Sequence, residues 1–224
     1  MKPEIQRTVI PLFKYSVLLF FATALLAANC KITNNTSPEP PSSGKSRYPA
    51  AEYYGDRWNN DYVRINSDPK PSGTVTLNLL PSGSTNFVMP FCGKILSEFG
   101  MRNGRMHAGI DIKLVREAPV YCAFGGMVRV AKNHDSYGKY VVVRHDNGLE
   151  TLYSHLNSIS VKINQRVKAG ARIGGGGKTG NATTEHLHFE IRFMGEPLNP
   201  RLIVDFDNCK LKSKTIKLNE NSYK

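Results

Sequence analysis

The sequence predicts an all-β domain, mainly antiparallel and built as a sandwich or folded sheet. From about Phe87 onward, short apolar runs alternate with turn residues, which is the pattern of many short strands. Residues 186–193, with the sequence HLHFEIRF, alternate polar and apolar side chains without a break, as a half-buried strand does. No helical periodicity of useful length interrupts these runs. The 224 residues leave room for one such domain with flanking segments.

The candidate strands follow one another at short intervals and are separated by turns rich in glycine. They are residues 118–123, 127–131, 140–145, 150–154, 158–161 and 186–193. Asn147-Gly148 predicts a hairpin with a type I′ turn, because both central positions of that turn need positive φ. The glycine run at 174–177 predicts a mobile turn beside a groove or the tight end of a hairpin. His134 and His145 lie at or near turns, and we expect them to be structural or exposed.

The N-terminus has the layout of an export signal, with basic residues, an apolar run at 17–28 and small residues before Cys30. We expect residues 1–29 to be a lipoprotein-type signal peptide and Cys30 to be acylated, although Asn29 departs from the usual residue before that cysteine. Cleavage without lipidation and a signal anchor that includes residues 10–13 are the alternatives. We therefore expect the protein in the cell envelope, anchored by the lipid on the periplasmic side or at the outer membrane. The formal charge of +12 would suit an anionic partner such as nucleic acid, but export argues against that partner.

The rest of the chain divides into four segments by composition. Residues 30–50 are rich in Asn, Ser and Pro and predict a flexible tether. Residues 51–85 form an N-terminal extension whose aromatic side chains could pack on the domain, and residues 86–206 form the domain itself. Residues 207–224 are a basic tail, which we expect to be a solvated end, with wall or membrane binding as the weaker alternative.

Three cysteines remain if Cys30 carries a lipid, so at least one of them stays unpaired. Cys122 lies in an apolar run and is predicted to be a small core residue. Export allows a disulfide between Cys92 and Cys122, but the sequence cannot assign the pairing among Cys92, Cys122 and Cys209. The absence of a CxxC spacing argues against a zinc site made of thiolates.

Two pairs of side chains could hold a metal. His186 and His188 project from the same side of their strand, which can place one nitrogen on a metal and the next beside a metal-bound water. The alternative is a polar outer face that carries two histidines by chance. His107 and Asp111 lie in a turn that leads into a strand, and they are suitable ligand types for Zn²⁺, although the HxxxD spacing is weak by itself. The helix motif HExxH is absent, which excludes a helix-based zinc protease.

Three separated motifs carry a family resemblance. MHAGID at 106–111, YSHL at 153–156 and HLHFE at 186–190 occur in the order and approximate spacing of the lysostaphin/LytM-like zinc metallopeptidases. The chain resembles this family from about residue 87 to residue 201, and the similarity includes GKILSEFGMR at 93–102. The resemblance implies the family's folded sheet with an open groove that holds the metal.

The resemblance also implies a division of roles. His107, Asp111 and His188 would bind one Zn²⁺ per domain, with water in the fourth position. His186 would be the general base, and His155 would steady the developing oxyanion and share in proton transfer. The substrate implied is bacterial peptidoglycan, cut in its peptide stems or cross-links by attack of a zinc-bound water.

Alternatives remain at this point. A wall-binding or regulatory module of the same fold that activates another murein hydrolase is the second hypothesis, but it should have lost one or more matching residues, and all five are present. Residues 51–66 form either a packing extension or spacer, which is favoured, or a flap that occludes the groove and adds a ligand. Cross-links between D-Ala and a diamino acid and glycine-rich bridges are both possible substrates, and the leader favours the former. A monomer is expected.

Overall fold

The computed structural model describes residues 47–61, 63, 73–81 and 86–223. In these residues the chain forms one short helix, many short strands and two 3₁₀ turns. In chain order they are α1 Ala51–Tyr54, β1 Val75–Asn78, β2 Ile95–Ser97, β3 Gly100–Arg102, β4 Arg105–His107, β5 Ile110–Lys113, β6 Pro119–Tyr121, β7 Gly126–His134, β8 Gly138–His145, β9 Leu149–Leu156, β10 Ser158–Ile159, β11 Arg166–Val167, β12 Arg172–Gly175, β13 His186–Phe193, β14 Glu196–Leu198, the 3₁₀ turn Pro200–Leu202, β15 Val204–Asp205, β16 Lys210–Leu211, β17 Thr215–Leu218 and the 3₁₀ turn Glu220–Tyr223.

The central sheet has the strand order β11-β7-β8-β9-β13-β5-β2, and β14 also pairs with β13. A second sheet has the order β10-β12-β6, and three two-stranded ribbons complete the described part of the chain. The strand pairs are antiparallel, which confirms the predicted fold class. All six predicted strands are present, and β13 has the predicted bounds, while the others differ by a few residues at their ends.

The alternation along β13 fixes which side chains face the core. Leu187 and Phe189 are fully buried in the main hydrophobic core, which they share with Val120 and Ile173 of the second sheet. Burying each large apolar side chain contributes roughly 1.5–3 kcal/mol. A slip of one residue would move these side chains out of the core and the histidines into it, so the register of β13 is strongly specified.

The hairpin of β8 and β9 forms as predicted, but its turn is not of type I′. Gly148 has a φ of 88°, whereas Asn147 does not have a positive φ. The Asn147 side chain is buried, where its amide donates to the carbonyl of Leu79 at 3.1 Å and its oxygen accepts from the N–H of Leu149 at 3.0 Å. These contacts hold Asn147 in a conformation that the dipeptide alone does not predict.

The glycine run at 174–177 is not a mobile turn, so that prediction is wrong. Gly174 and Gly175 lie in β12, which is hydrogen-bonded on both sides. A Cβ at Gly174 would lie 2.1 Å from the carbonyl oxygen of Ser158, so no larger residue fits there without a shift of the backbone. The glycines therefore allow neighbouring strands to approach closely.

Three charged side chains, Arg129, Arg144 and Glu150, are fully buried on the polar face of the central sheet. The Nε atoms of both arginines lie 2.8 Å from Oε1 of Glu150. A single carboxylate cannot neutralise two guanidinium groups, so the remaining N–H groups need other acceptors.

These acceptors come from residues 47–61 and 63, which we call the N-terminal strap. Backbone carbonyls at positions 57, 59 and 63 accept hydrogen bonds from Arg129 and Arg144 at distances of 2.8–2.9 Å. The Arg144 guanidinium also stacks on a buried aromatic ring, with its carbon 3.7 Å from the ring centre of Tyr54. The strap is thus part of the folded domain.

None of the described residues of the strap lines the groove that contains the candidate metal ligands. The described part of the segment packs on the domain instead. Residues 62 and 64–66 of the hypothetical flap lie outside the described residues.

The C-terminal segment is not a solvated end, in contrast to the expectation for residues 207–224. Strand β17 pairs with β1, and Leu218 is fully buried. A disulfide between Cys92 and Cys209, which are 117 residues apart, ties the segment to the start of the domain. Cys122 is buried in the core, as predicted. It is free, so the disulfide between Cys92 and Cys122 that export allows is not formed.

Among the described residues, no helix is both long and apolar enough to cross a membrane. The predicted leader at 1–29, Cys30 and residues up to 46 of the predicted tether lie outside the described part of the chain.

Candidate metal centre and groove

The central sheet brings His107, Asp111 and His188 together. His188 in β13 is the direct cross-strand neighbour of Asp111 in β5, so both side chains point to the same face. Oδ1 of Asp111 lies 2.8 Å from Nδ1 of His188 and 3.1 Å from Nε2 of His107, and these two nitrogens are 3.1 Å apart. The three atoms therefore form a small triangle at which their lone pairs converge.

Gly109 makes this convergence possible. It links β4, which ends at His107, to β5, which carries Asp111. A Cβ at Gly109 would lie 2.5 Å from the carbonyl oxygen of Phe189 and 3.0 Å from Cε1 of His188. Only glycine lets the turn lie this close to β13. The prediction that His107 and Asp111 lie in a turn entering a strand is confirmed.

Each histidine of the triangle is oriented by an outer contact. Nδ1 of His107 lies 2.6 Å from the carbonyl oxygen of Glu98, and Nε2 of His188 lies 2.9 Å from Oε1 of Glu190. These oxygens can only accept, so the nitrogens donate to them. The opposite nitrogens then face the centre of the triangle, which is the usual arrangement around a metal-binding histidine.

The three side chains fit a zinc ion by donor type and spacing. Ligand atoms bound to Zn²⁺ at about 2.0–2.1 Å in a tetrahedron lie roughly 3.3 Å apart, close to the observed 2.8–3.1 Å. Burial acts to raise the pKa of Asp111, but the adjacent rings of His107 and His188 outweigh it and hold that pKa well below its usual range. The carboxylate is therefore charged and available. Three protein ligands leave one position open, as in catalytic zinc sites.

Protons compete for the same atoms. Burial acts to lower the pKa of His188, but the carboxylates of Asp111 and Glu190 outweigh it and raise that pKa to about 9. A metal that binds at Nδ1 must displace a proton, so metal affinity is expected to fall as the pH is lowered.

His155 and His186 lie beside the triangle, and their rings are 4.7 Å apart between centres. Nδ1 of His155 donates to the carbonyl of Thr179, and Nδ1 of His186 donates to that of Thr184, both at 2.8 Å. In the neutral rings, Nε2 is therefore an acceptor in each case, and Nε2 of His186 lies 3.6 Å from Oδ1 of Asp111. The five residues implied by the family resemblance all meet at one place.

His155 has two further properties of a functional residue. Its φ is 59°, a left-handed conformation that non-glycine residues rarely adopt and that clusters at functional sites. Burial lowers its pKa to about 4, so the imidazole is neutral at neutral pH. The other two histidines do not line the groove and have no positive φ, and they are exposed or structural as expected. His134 is exposed, and His145 is buried with the hydroxyl of Thr151 at 2.7 Å.

The histidines lie on the floor of an open groove of about 330 Å³. Its lining comprises Arg102, His107, Asp111, Ser136, Tyr137, His155, Asn181, Ala182, Thr183, His186 and His188. Sequence reasoning assigned no role to Arg102, whose guanidinium lies 3.6 Å from Oδ2 of Asp111. The signal was available: Asn103-Gly104, with φ of 50° and 74°, forms the tight turn between β3 and β4 that places Arg102 at the groove.

Glu190 is the second residue that sequence reasoning left without a role. It is fully buried, and its Oε1 accepts from His188 at 2.9 Å and from the hydroxyl of Tyr137 at 3.0 Å. Its other oxygen pairs with Arg192. Burial acts to raise its pKa, but Arg192 and His188 outweigh this and lower the pKa to about 2. Alternation along β13 predicts that Glu190 faces the same way as His188, but it does not predict the contact.

Comparisons with known proteins agree with these features. Residues 105–200 match the family described as Peptidase family M23. The chain is 39% identical over 113 residues to the DD-carboxypeptidase/endopeptidase Mpg of Neisseria meningitidis, covering 48% of this chain and 26% of that protein. It is 33% identical over 135 residues to the murein hydrolase activator NlpD of Salmonella dublin, covering 60% of this chain and 35% of that protein. The chain thus spans about a quarter to a third of the length of these two relatives.

Among solved structures, the catalytic domain of the antimicrobial peptidase lysostaphin from Staphylococcus simulans is 28% identical to this chain. The match covers 49% of this chain and 90% of that one, with a TM-score of 0.44.

Proposed function

Because the chain belongs to peptidase family M23 through residues 105–200, we propose that it is a zinc-dependent endopeptidase that hydrolyses peptide stems or cross-links of bacterial peptidoglycan. The observation that carries the proposal is the triangle of His107, Asp111 and His188, whose three donor atoms lie within 3.1 Å of one another on the floor of an open groove.

His107, Asp111 and His188 would hold the ion. When bound, Zn²⁺ lowers the pKa of a water from 15.7 to about 7 and polarises a scissile carbonyl. Asp111 contributes one negative charge, and the carbonyl of Glu98 together with the carboxylate of Glu190 keeps the two imidazoles in the tautomers that present a lone pair to the ion.

His186 is proposed as the general base, because its Nε2 lone pair faces the groove within 3.6 Å of the ligand Asp111. His155 reaches the groove from the neighbouring strand β9, and it has the same tautomer because Nδ1 donates to the carbonyl of Thr179. An imidazole in this tautomer cannot donate from Nε2 until it has taken a proton. Once a proton has been transferred to Nε2 of His155, the resulting imidazolium steadies the oxyanion or protonates the leaving amine.

The direct test is digestion of purified peptidoglycan by the zinc-loaded protein, with the released fragments identified by mass spectrometry. The wild type is expected to release peptide fragments. His186→Ala is expected to lower the rate by about 100- to 10,000-fold, the usual contribution of a general base. Wild-type rates in His186→Ala would contradict the assignment of the base, and the absence of any release by the wild type would contradict the proposed activity.

The second candidate is a wall-binding or regulatory module that activates another murein hydrolase, and the relative named as an activator is the observation that favours it. The two functions separate in one experiment, in which the protein is added to peptidoglycan alone and together with a second murein hydrolase. An activator stimulates the second hydrolase and still does so as the His186→Ala variant. An endopeptidase releases fragments alone and loses that ability in the same variant.

The proposed setting is the cell envelope, with peptidoglycan as the partner and an N-terminal lipid on Cys30 as the membrane anchor. Labelling with a palmitate analogue, compared between the wild type and Cys30→Ala, tests the anchor. A monomer remains the expectation for the oligomeric state.

A further inference from the structure

The hairpin of β3 and β4 carries a charge to the wall of the groove. Arg102 is the last residue of β3, and its cross-strand partner is Arg105. The Arg102 guanidinium bonds to Ser97 Oγ at 2.6 Å and lies 3.6 Å from Oδ2 of Asp111, while its side chain remains 53% exposed. Arg105 is exposed as well but does not line the groove.

The described lining of the groove carries one positive and one negative side chain. Among the described side chains that line it, Arg102 is the only arginine or lysine, and Asp111 is the only carboxylate. Oδ1 of Asp111 faces the two histidines of the triangle, and only Oδ2 faces Arg102. A divalent cation at the triangle more than cancels the charge of Asp111, so the half-exposed guanidinium is then left to attract an anion.

The position of Arg102 restricts where that anion can be. One guanidinium nitrogen lies 3.6 Å from Oδ2 of Asp111, whose other oxygen belongs to the triangle. An anion bound to this guanidinium is therefore within reach of the residue next to a carbonyl held at the triangle, because consecutive Cα atoms are about 3.8 Å apart. A guanidinium also binds a carboxylate through two parallel hydrogen bonds, which favours this anion.

We infer that Arg102 forms a subsite for a free carboxylate on the residue that supplies the amine of the bond that is cut. The inference rests on the proposed endopeptidase function and narrows its substrate. It selects direct cross-links in which a D-amino acid is joined to a diamino acid whose amine-bearing carbon also carries a free carboxylate. Glycine-rich bridges have only neutral amides at that position and do not use the subsite.

The test uses two synthetic peptides that differ in one group, a free carboxylate or a carboxamide on the residue after the scissile bond. Binding is measured by calorimetry to zinc-loaded His186→Ala protein, and cleavage is measured with the wild type. The carboxylate peptide is expected to bind and to be cleaved about 10- to 100-fold better, the range of a hydrogen bond between charged groups. Arg102→Gln is expected to abolish the difference, and Arg102→Lys to restore part of it.

Arg105→Gln is the matched control, because it removes the same charge from the same hairpin outside the groove, and it is expected to keep the full preference. Equal affinity of the two peptides for the protein with Arg102 intact overturns the inference, even if peptidoglycan digestion proceeds. A preference for the carboxylate that Arg102→Gln leaves intact overturns it as well. A preference that depends on Arg102, in a protein that cleaves neither peptide, supports the subsite and contradicts the endopeptidase function.

Discussion

Glu190 is expected to control zinc affinity without contacting the ion. Its buried carboxylate accepts the Nε2–H of His188 at 2.9 Å and pairs with Arg192 on the other side. Glu190→Gln keeps the size and shape of the side chain but removes the charge. The amide can still face only one of the two donors with its oxygen, so either His188 or Arg192 meets an N–H group in place of an acceptor.

The expected size of the effect follows from these contacts. Loss of the outer partner of a metal-binding histidine weakens metal affinity by about 10- to 100-fold, which corresponds to about 1.4–2.7 kcal/mol. Leaving Arg192 buried without its anion lowers the free energy of unfolding by about 3–5 kcal/mol, the usual result of breaking a buried ion pair. Competition with a fluorescent chelator measures the first quantity, and urea denaturation of the metal-free protein measures the second.

Glu150 offers a matched control, because it is also fully buried and paired with arginines but contacts none of the proposed ligands. Glu150→Gln is expected to destabilise the protein to a similar degree and to leave zinc affinity within about threefold of the wild type. Equal zinc affinities of the two variants, whether both normal or both weakened, would show that Glu190 does not act by orienting His188.

Three more predictions concern the scaffold. Gly109→Ala places a methyl group 2.5 Å from the carbonyl oxygen of Phe189 and should lower the free energy of unfolding by about 1–3 kcal/mol; unchanged stability in urea would show that the turn can move away. Tyr54→Ala removes the buried ring that stacks on Arg144 and should cost about 3–5 kcal/mol, whereas a loss below about 1 kcal/mol would mean that the strap contributes little. Burial lowers the pKa of His145 from the usual 6.5 to about 4. Between these pH values the histidine is protonated in the unfolded chain but not in the folded one, so the free energy of unfolding falls as the pH drops through this range. Between pH 7 and pH 4 the wild type should therefore lose about 3 kcal/mol more than His145→Gln, and identical losses would contradict the burial argument.

The sequence predicts best what depends on local periodicity. Strand β13 has the predicted bounds, and its alternation places His186 and His188 on one face. The turn that brings His107 and Asp111 to the sheet follows from Gly109 and the β-branched residues around it. That these two pairs meet each other is a long-range property of the β5–β13 pairing, and local spacing carries no information about it.

The failures have a common physical cause, because each depends on contacts between distant parts of the chain. Asn147 departs from the expected turn since its side chain is held by Leu79. The tail folds since Leu218 completes the core beside β1. Arg129 and Arg144 hold the strap, and both are fully buried. Arginine is usually exposed, so the residue type gives no indication of this burial.

We propose that His188 holds zinc while His186 acts on protons beside it, although the two lie only two positions apart on the same strand. The zinc bound per chain after metal depletion and reloading, compared between His188→Ala and His186→Ala, tests this division of roles. About one zinc per chain is expected in His186→Ala, as in the wild type, and far less than one in His188→Ala. Full zinc occupancy in His188→Ala, or its loss in His186→Ala alone, would show that the roles are assigned wrongly.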